Sequence, residues 1–407
     1  MIRALAWLHL FLCCVSAQVV DTSTLIGKVV CGYQGWFRCE GDGSHNGWHH
    51  YAANGKFEPG HSHIELWPDV SELPPQDRVA TPFKFADGRT AEVFSSVRES
   101  TAQLHFQWMR EYGIDGAFLQ RFATTTRDPR FREPMDKVLA HCQTAAKANG
   151  RGWTLMYDLS GLKEGDIQLV IDDWKRLVSE KRIDCQSSAY FKHRGKPLVA
   201  LWGLGFNDRA PMLDEWSRLI GFLRDNGCAI MLGVPYYWRT LDRDCIKDSK
   251  LHDLIARADI VSPWAVGRFG TPKQAASNGE KLLKPDIAWC TERKIDYLPV
   301  IFPGFSWLNL SKARGQEAKF NAIPRLRGQF LWSQAFAAKH SGAQMLYVAM
   351  FDELDEGTAI FKTENHPPIG ASPFLAELDL PNDHYLWLTG RLGELLRGEI
   401  GDEMPKR

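Results

Sequence analysis

The chain has 407 residues, of which 44% are hydrophobic and 24% are charged. This is the composition of a globular protein with enough apolar material for a large core. Its 49 basic and 49 acidic residues give a formal net charge of zero, which argues against a nucleic acid or an anionic membrane surface as partner. Tryptophan is abundant, with 15 residues, and its ring serves equally as a core side chain or as a flat binding platform.

The N-terminal stretch MIRALAWLHLFLCCVSAQ has the pattern of a secretory signal peptide. Arg3 precedes an apolar run over 4–14, and the small residues at 15–17 provide a cleavage site. Residues 1–17 are therefore predicted to be removed on export, which places the mature protein in the periplasm or outside the cell. The apolar run is too short to span a membrane, and no second candidate span follows it.

Seven cysteines remain after residue 17, and disulfide bonds are permitted outside the cytosol. The odd number leaves at least one thiol without a partner in the chain. Pairing stays open at this stage, although 31/39 and 228/245 are the shortest spacings. No C-x-x-C motif occurs, so neither a structural zinc site nor any other metal or cofactor is expected. The seven are Cys31, Cys39, Cys142, Cys185, Cys228, Cys245 and Cys290.

Eight short apolar runs alternate with amphipathic stretches along the chain. The runs, which predict strands, are 29–33, 117–120, 153–157, 198–202, 229–234, 259–262, 297–302 and 344–351. Helices are predicted between several of them, over 96–112, 134–149, 166–181 and 213–226. The second helix is predicted to begin at Pro134, because proline is favoured in a first helical turn.

Strands that alternate with helices predict a parallel sheet covered by helices, and eight such units match an α/β fold of the (β/α)8 TIM-barrel type. A doubly wound open sheet is the alternative, but no glycine-rich phosphate loop follows the first strand. The segment 39–94 is predicted to be a long first βα loop. Residues 18–370 are predicted to form the barrel domain, and 371–407 a C-terminal tail whose helix, 385–396, packs on the barrel.

In such barrels the functional residues follow the carboxyl ends of the strands. Aromatic side chains recur there with carboxylates and amides between them, a mixture that suits sugars because flat rings cover C–H faces while polar groups bind hydroxyls. Arg121 is a candidate for an acidic group on a sugar, or else for an ion pair with Asp115 or Asp158. The candidate substrate-binding residues are Tyr33, Trp36, Arg121, Tyr157, Asp158, Trp202, Tyr236, Tyr237, Trp238, Trp264 and Trp307.

The eighth predicted strand runs into MFDELDEG, residues 350–357, which places four carboxylates close together. Like charges at this spacing repel, so the cluster costs stability unless it is solvated or used. In a barrel it would face the same mouth as the aromatic residues. Glycoside hydrolysis commonly uses two carboxyl groups whose pKa values are pushed apart. A solvated surface turn is the alternative interpretation.

The run FDELDEGT, residues 351–358, resembles the strand-end signature of glycoside hydrolase family 99, the endo-α-mannosidases, where Phe-Asn-Glu-Trp-His-Glu-Gly-Thr is typical. Segments 112–118, 189–199 and 298–304 are similar to further stretches of that family, in the same order. The tripeptide GWF at 35–37 stands where the family has Pro-Trp-Tyr. The resemblance spans roughly residues 28–362 and is closest to the loosely defined family 71/99-like group.

The resemblance implies a secreted, retaining glycoside hydrolase for an α-linked glycan, of mannan type or related. By position, Glu353 would be the base that activates the substrate's own 2-hydroxyl to give a 1,2-anhydro sugar. Glu356 would be the general acid that protonates the leaving oxygen and then activates water. Asp352 and Asp355 are expected to tune this pair and to contact substrate. Leu354 and Asp355 replace the family's Trp and His, which leaves the identity of the sugar open.

Two other functions stay open: a carbohydrate-binding barrel that has lost catalysis, and a hydrolase for a xyloside, an arabinoside or a glucan. In each case the partner is an oligo- or polysaccharide. Histidines in the glycine-rich first loop are predicted to be polar contacts rather than metal ligands, and one of them is a candidate for a contact with a sugar hydroxyl. They are His45, His49, His50, His61 and His63.

Overall fold

The computed structural model of the protein describes residues 19–407. The predicted signal peptide, residues 1–17, lies outside the described residues. The strands are β1 (Val29–Tyr33), β2 (Val79–Lys84), β3 (Thr90–Val93), β4 (Gly116–Phe122), β5 (Gly152–Asp158), β6 (Lys192–His193), β7 (Lys196–Trp202), β8 (Ala229–Pro235), β9 (Ile260–Trp264), β10 (Asp296–Tyr297), β11 (Val300–Ile301) and β12 (Leu346–Val348).

Helices follow most of the barrel strands. They are α1 (Glu99–Glu111), α2 (Pro129–Ala148), α3 (Ile167–Ser179), α4 (Leu213–Asp225), α5 (Lys250–Ile255), α6 (Pro272–Asn278), α7 (Lys284–Glu292), α8 (Leu308–Ala313), α9 (Gln329–His340) and α10 (His384–Arg397). A π-helical turn over Gly279–Leu283 joins α6 to α7.

The parallel strands close into a barrel. β1 pairs with β4 on one side and with β12 on the other. Parallel pairing continues from β4 through β5, β7, β8 and β9 to β10, and β11 pairs with β12. This topology confirms the predicted (β/α)8 class, and all eight predicted strand segments overlap barrel strands.

Pro299 divides the seventh position of the barrel into two short strands, β10 and β11. Proline has no backbone N–H to donate to the ladder. Its carbonyl still accepts from the Tyr347 N–H at 3.0 Å, and the Leu298 N–H donates to the Val261 carbonyl at 2.9 Å. The prediction of one continuous strand over 297–302 is therefore wrong, because two short strands lie there, but the barrel remains closed.

The helix α2 begins at Pro129, and the prediction that it begins at Pro134 is wrong. Asp128 caps this helix, since its side chain accepts a hydrogen bond from the Arg130 N–H at 2.9 Å. Pro129 then occupies the first turn, where a missing N–H costs little, and Pro134 lies within the helix. Either proline could have occupied the first turn, and the helix begins at Pro129 because Asp128 precedes it as the N-cap.

Side chains of the barrel strands divide between two apolar clusters according to their position along each strand. Val30, Phe118 and Met156 belong to a cluster inside the barrel. Their neighbours Cys31 and Leu119 belong to the larger cluster between the strands and the surrounding helices. Successive side chains of a strand point to opposite faces, so this alternation decides which strand-end residues reach the mouth.

The segment 39–94 is the long loop that the sequence predicts, and it contains the antiparallel hairpin of β2 and β3. It folds back over the acidic segment after β12. The Glu65 N–H donates to the Leu354 carbonyl at 2.8 Å, and the Asp69 N–H donates to the Lys362 carbonyl at 3.0 Å. The first loop therefore forms one wall around the segment that carries the carboxylates.

The C-terminal helix α10 packs on the barrel's outer layer and ends at Gly398, which adopts the left-handed conformation. Arg325 stacks on the Tyr385 ring, with its guanidinium carbon 3.9 Å from the ring centroid. Beyond the helix, the Trp332 indole N–H donates to the Asp402 carbonyl at 3.0 Å. These contacts fix the tail against α9.

The described part of the chain contains no helix that is both long and apolar enough to cross a membrane. All seven cysteines in residues 19–407 are free thiols, and all except Cys185 are buried. Neither of the two short-spaced pairs considered from the sequence is bonded.

Gly390 brings α10 against the chain end of α1, because a Cβ at this position would overlap the Tyr112 carbonyl oxygen. We expect Gly390→Ala to lower the free energy of unfolding by about 1–3 kcal/mol, since backbone cannot rotate away as a side chain can. Urea denaturation of the mature protein measures this.

Gly393→Ala on the same helix is the matched control. Its Cβ would meet only the flexible end of Arg397, at 3.0 Å. Alanine is the better helix former by about 1 kcal/mol, so this variant should be as stable as the wild type or more stable. Equal losses in both variants would contradict the close approach at Gly390.

Candidate active site

The acidic segment lies at the carboxyl end of β12 and is buried. Asp352, Glu353 and Asp355 are 0%, 3% and 2% exposed, and Glu356 is partly exposed. A solvated surface turn is therefore the wrong interpretation of this cluster. Burying carboxyl groups costs free energy unless each is protonated, hydrogen-bonded or paired, so the partner of each one matters.

Asp352 is held by the backbone at the end of β1. Its two oxygens accept hydrogen bonds from the Gln34 N–H at 2.7 Å and the Gly35 N–H at 2.8 Å. Burial raises the pKa of Asp352 to about 7, although these two N–H groups act in the opposite direction. Both oxygens are engaged and the residue is fully buried, so Asp352 anchors the segment and is not placed for the predicted substrate contact.

Glu353 and Asp355 form a hydrogen-bonded carboxyl pair. Burial, and then the charge of Asp355, raises the pKa of Glu353 well above its usual value. Burial also opposes ionisation of Asp355, but hydrogen bonds from Glu353 and His50 outweigh it and hold the pKa of Asp355 below its usual value. The two pKa values move in opposite directions, so Glu353 holds a proton more strongly than Asp355 does. The Gln34 side-chain amide also donates to Glu353.

Glu356 is the carboxyl of the segment that stays open to the mouth. Burial, and then the nearby charge of Asp355, raises the pKa of Glu356 to about 7, while Arg314 lowers it. Its backbone carbonyl accepts from the Ser306 N–H at 3.0 Å. This bond places Glu356 beside the loop that carries Trp307, which is half-buried and lies 5.5 Å from Phe305 between ring centroids.

An aromatic stack borders the carboxyl pair on the side of β1 and β4. The His50 and Trp36 rings are nearly parallel, with an angle of 8° and centroids 3.7 Å apart. Trp36 also stacks on Phe122 at 5.1 Å. His50 Nδ1 lies 2.9 Å from an Asp355 oxygen. The stack therefore connects directly to the carboxyl pair.

A cavity of about 260 Å³ opens beside this stack, lined by Trp36, His50, Phe122 and Gln120 among others. Two buried polar atoms at its wall have no hydrogen-bond partner, the Gln34 side-chain oxygen and the Trp36 indole nitrogen. Buried polar groups are normally paired, so these two atoms are an acceptor and a donor that a small side-chain movement would present to a bound molecule. The lining of rings and amides is the kind that holds a sugar.

A second aromatic group lies at the ends of β7, β8 and β9. Trp202 and Trp264 meet edge to face at 5.2 Å, and Tyr237 packs against the same interior cluster. Arg209 lies over Trp202 with its guanidinium carbon 5.7 Å from the ring centroid. Asp158 is level with Trp202 in the sheet, and burial raises the pKa of its carboxyl. These predicted contacts share the barrel mouth with the carboxyl pair.

Three predicted substrate contacts lie outside the barrel instead. The Tyr33 hydroxyl bonds to His105 at 2.9 Å. Arg121 Nε donates to Asp173 at 2.5 Å, and its Nη2 donates to Asp136 at 2.8 Å. The Tyr157 hydroxyl also donates to Asp173, at 2.9 Å. The ion pair proposed for Arg121 with Asp115 or Asp158 is likewise wrong.

Two further aromatic predictions are core side chains. Trp238 is fully buried and packs edge to face on Trp289 at 4.8 Å. Tyr236 belongs to the interior cluster but is almost completely buried, next to Phe269 at 5.8 Å.

The mouth also contains residues that the predicted site leaves out. Gln34, Gln120 and Phe122 occupy the alternate positions on β1 and β4, one step from the Tyr33 and Arg121 that were chosen. Side chains alternate between the two faces of a strand, but these strands are buried on both faces, so the sequence does not show which of two neighbouring residues faces inward. The sequence groups His50 with the loop histidines predicted to be polar contacts, but an irregular loop has no repeating pattern that distinguishes it from the other four. In residues 19–407, no group of three or more His, Cys, Asp or Glu side chains is arranged to hold a metal ion.

Comparison with known proteins identifies the architecture. No protein-family model matches the chain, and no curated protein matches it. Two solved structures share its fold, a GH99 endo-alpha-mannosidase from Bacteroides thetaiotaomicron and the same kind of enzyme in complex with Bis-Tris-propane. Each match covers 92% of this chain and 99% of the mannosidase chain, with a TM-score of 0.65 and 16% sequence identity. The barrel of this protein thus has the fold of the GH99 enzymes.

The Arg121 cluster should carry stability rather than substrate affinity. We expect Arg121→Leu to lower the free energy of unfolding by about 3–5 kcal/mol, because Asp173 and Asp136 would lose their one fully buried counter-charge and keep only the more exposed Arg176 and Arg182. Chemical denaturation measures this. Arg130→Leu is the control, since it removes an exposed ion pair with Asp128 and should change stability little. A stable Arg121→Leu protein with weakened glycan binding would contradict the structural role.

Proposed function

We propose that this protein is a glycoside hydrolase that cleaves an α-linked glycan, of mannan type or related, with retention at the anomeric carbon. The observation that carries the proposal is that the carboxyl groups after β12 differ in burial and in the direction of their pKa shifts. The pKa of Glu353 is raised and that of Asp355 is lowered, while the partly exposed Glu356 has a pKa raised to about 7. Two carboxyl functions of different proton affinity are what glycoside hydrolysis needs.

Glu356 acts as the general acid in this proposal. A carboxyl with a pKa of about 7 is largely protonated just below neutral pH and can donate to the leaving oxygen. As the glycosidic C–O bond breaks, the proton of Glu356 passes to that oxygen and leaves a carboxylate. The same carboxylate then removes a proton from the water that completes the reaction.

The Glu353–Asp355 pair acts as the base. The substrate's 2-hydroxyl loses its proton to Glu353 while the proton already on Glu353 passes to Asp355, so the pair gains one proton in total. The freed 2-oxygen attacks the anomeric carbon and forms a 1,2-anhydro sugar. Water then opens that ring, the 2-oxygen recovers its proton from the pair, and two inversions give net retention. Hydrogen bonding between the two carboxyl groups supports this shared role.

Aromatic groups on both sides of the carboxyl cluster support a glycan of several rings as substrate. Trp36 with Phe122 borders one side, and Trp202 with Trp264 borders the other. Trp307 lies beside Glu356. Export from the cytosol belongs to the same proposal, because residues 1–17 have a signal-peptide pattern and a secreted enzyme meets polysaccharide outside the cell.

A carbohydrate-binding barrel without catalysis is the second candidate. One observation favours it: Glu353 is buried, Gln34 donates to one of its oxygens, and the adjacent Asp355 raises its pKa. A base held this firmly must exchange a partner before it takes a substrate proton. Binding without turnover separates this candidate from the hydrolase.

A glycan screen tests the activity. We expect residues 18–407 to release reducing ends from at least one polysaccharide in a panel of α-mannans, α-glucans, xylans, arabinans and algal glycans. Glu356→Gln and Glu353→Gln should each lower kcat by about a hundredfold or more, because each removes one of the two carboxyl functions.

Glu364→Gln is the matched control for the screen. The pKa of Glu364 is also raised to about 7 by burial and the charge of Asp69, but the residue lies in a separate groove beside the C-terminal tail. It should keep wild-type turnover. No release from any glycan, together with retention of one glycan in affinity electrophoresis, would move the assignment to the binding barrel.

The pH profile gives a further prediction. Because the acid form of Glu356 is the active one and its pKa is about 7, kcat/KM should fall as pH rises through about 7. Substrates with a good leaving group, such as a nitrophenol, need little protonation and should lose this alkaline limb. An unchanged limb on such substrates would show that another group titrates.

A further inference from the structure

His50 reaches the carboxyl pair from the first loop. Its Nδ1 lies 2.9 Å from an Asp355 oxygen, and the two side chains are 26% and 4% exposed. The imidazole is fixed from several directions, because it stacks on Trp36 and meets the Phe37 ring edge to face at 6.1 Å. Its backbone has a φ of 63°, a left-handed conformation that non-glycine residues rarely adopt.

His50 is the basic side chain that pairs with Asp355. In the part of the chain that the structure describes, no lysine or arginine forms an ion pair with that carboxylate. The other charged or titratable groups that act on Asp355 or its pair partner do so from farther away. They are His49, Tyr51, His63, Glu65, Asp352, Glu356 and, through His63 and Glu356, Arg314.

We propose that His50 is a positioning residue for Glu353 and acts on it through Asp355. The imidazole holds one Asp355 oxygen, and this leaves the other directed at the Glu353 carboxyl, where both facing oxygens lack any other partner. A ring that also lines the substrate cavity thereby connects cavity occupancy to the position of the shared proton. The inference rests on the proposed hydrolase only for the catalytic consequence of that link.

Two substitutions separate the parts of this contact. His50→Phe keeps a flat ring against Trp36 but removes the nitrogen. His50→Asn removes the ring but can place an amide nitrogen near the position of Nδ1. We expect His50→Phe to lower kcat by about 10- to 100-fold, as misplacement of a reacting group does. His50→Asn should recover most of that loss.

The acid limb of the pH profile should also move in His50→Phe. Without the imidazole, the anionic pair loses a stabilising partner and takes up its second proton at higher pH. The shift should be about one pH unit toward neutrality. His61 lies in the same loop, but the structure places it neither on Asp355 nor in the lining of the cavity, so His61→Phe should leave both kcat and the limb unchanged.

An infrared titration keeps the test independent of turnover. The C=O stretch of the protonated buried carboxyl is assigned by its loss in Glu353→Gln, and is then followed against pH in the wild type, His50→Phe, His50→Asn and His61→Phe. The inference predicts a changed titration in His50→Phe alone. If the C=O stretch titrates at the same pH in His50→Phe and in the wild type, the positioning role of His50 is overturned, even if no glycan is cleaved. Should His50→Phe fail to fold, a titration in folded His50→Asn that differs from the wild type by as much as one pH unit would overturn it too.

Discussion

The two hydrogen bonds from the backbone of Gln34 and Gly35 to Asp352 hold the functional end of this barrel together. They join the chain just after β12 to the chain just after β1, the two neighbouring strands at which the barrel closes. With Asp352 fixed, the next residue, Glu353, can only lie at the mouth, where the Gln34 side chain meets it. The same short stretch of β1 therefore sets both the closure and the position of the carboxyl pair.

Burying several carboxyl groups close together costs free energy, and contacts with the surrounding groups offset that cost. The raised pKa of Glu353 favours its neutral form, Asp352 accepts hydrogen bonds from two backbone N–H groups, and Asp355 contacts His50. Glu65, from the first loop, is a further buried carboxyl group near the end of β12. Burial raises the pKa of Glu65 to about 7, and the Ser306 hydroxyl donates to it at 2.5 Å. Perturbed carboxyl groups gathered at a strand end are typical of catalytic sites rather than of surface turns.

The strands were predictable because parallel barrel strands are buried on both faces and read as continuous apolar runs. For the same reason the sequence does not show which side chains of a strand face the barrel interior, since a continuous apolar run has no alternation of polar and apolar residues. Tyr33, Arg121 and Tyr157 were therefore assigned to the mouth although they point outward, whereas Gln34 and Gln120, one residue away, point inward. Pro299 is the exception that sequence chemistry could explain, because a missing N–H must interrupt a ladder.

Loop contacts lie beyond this kind of prediction, and here they are decisive. The first loop places His50 on Asp355 and Glu65 behind Leu354, so two residues far from 350–357 in sequence complete its environment. The GH99 mannosidase structures share this barrel at 16% identity, so the same fold forms from widely different sequences. An imidazole supplied by a long insertion can therefore set the charge of a strand-end carboxyl while the barrel beneath it stays the same.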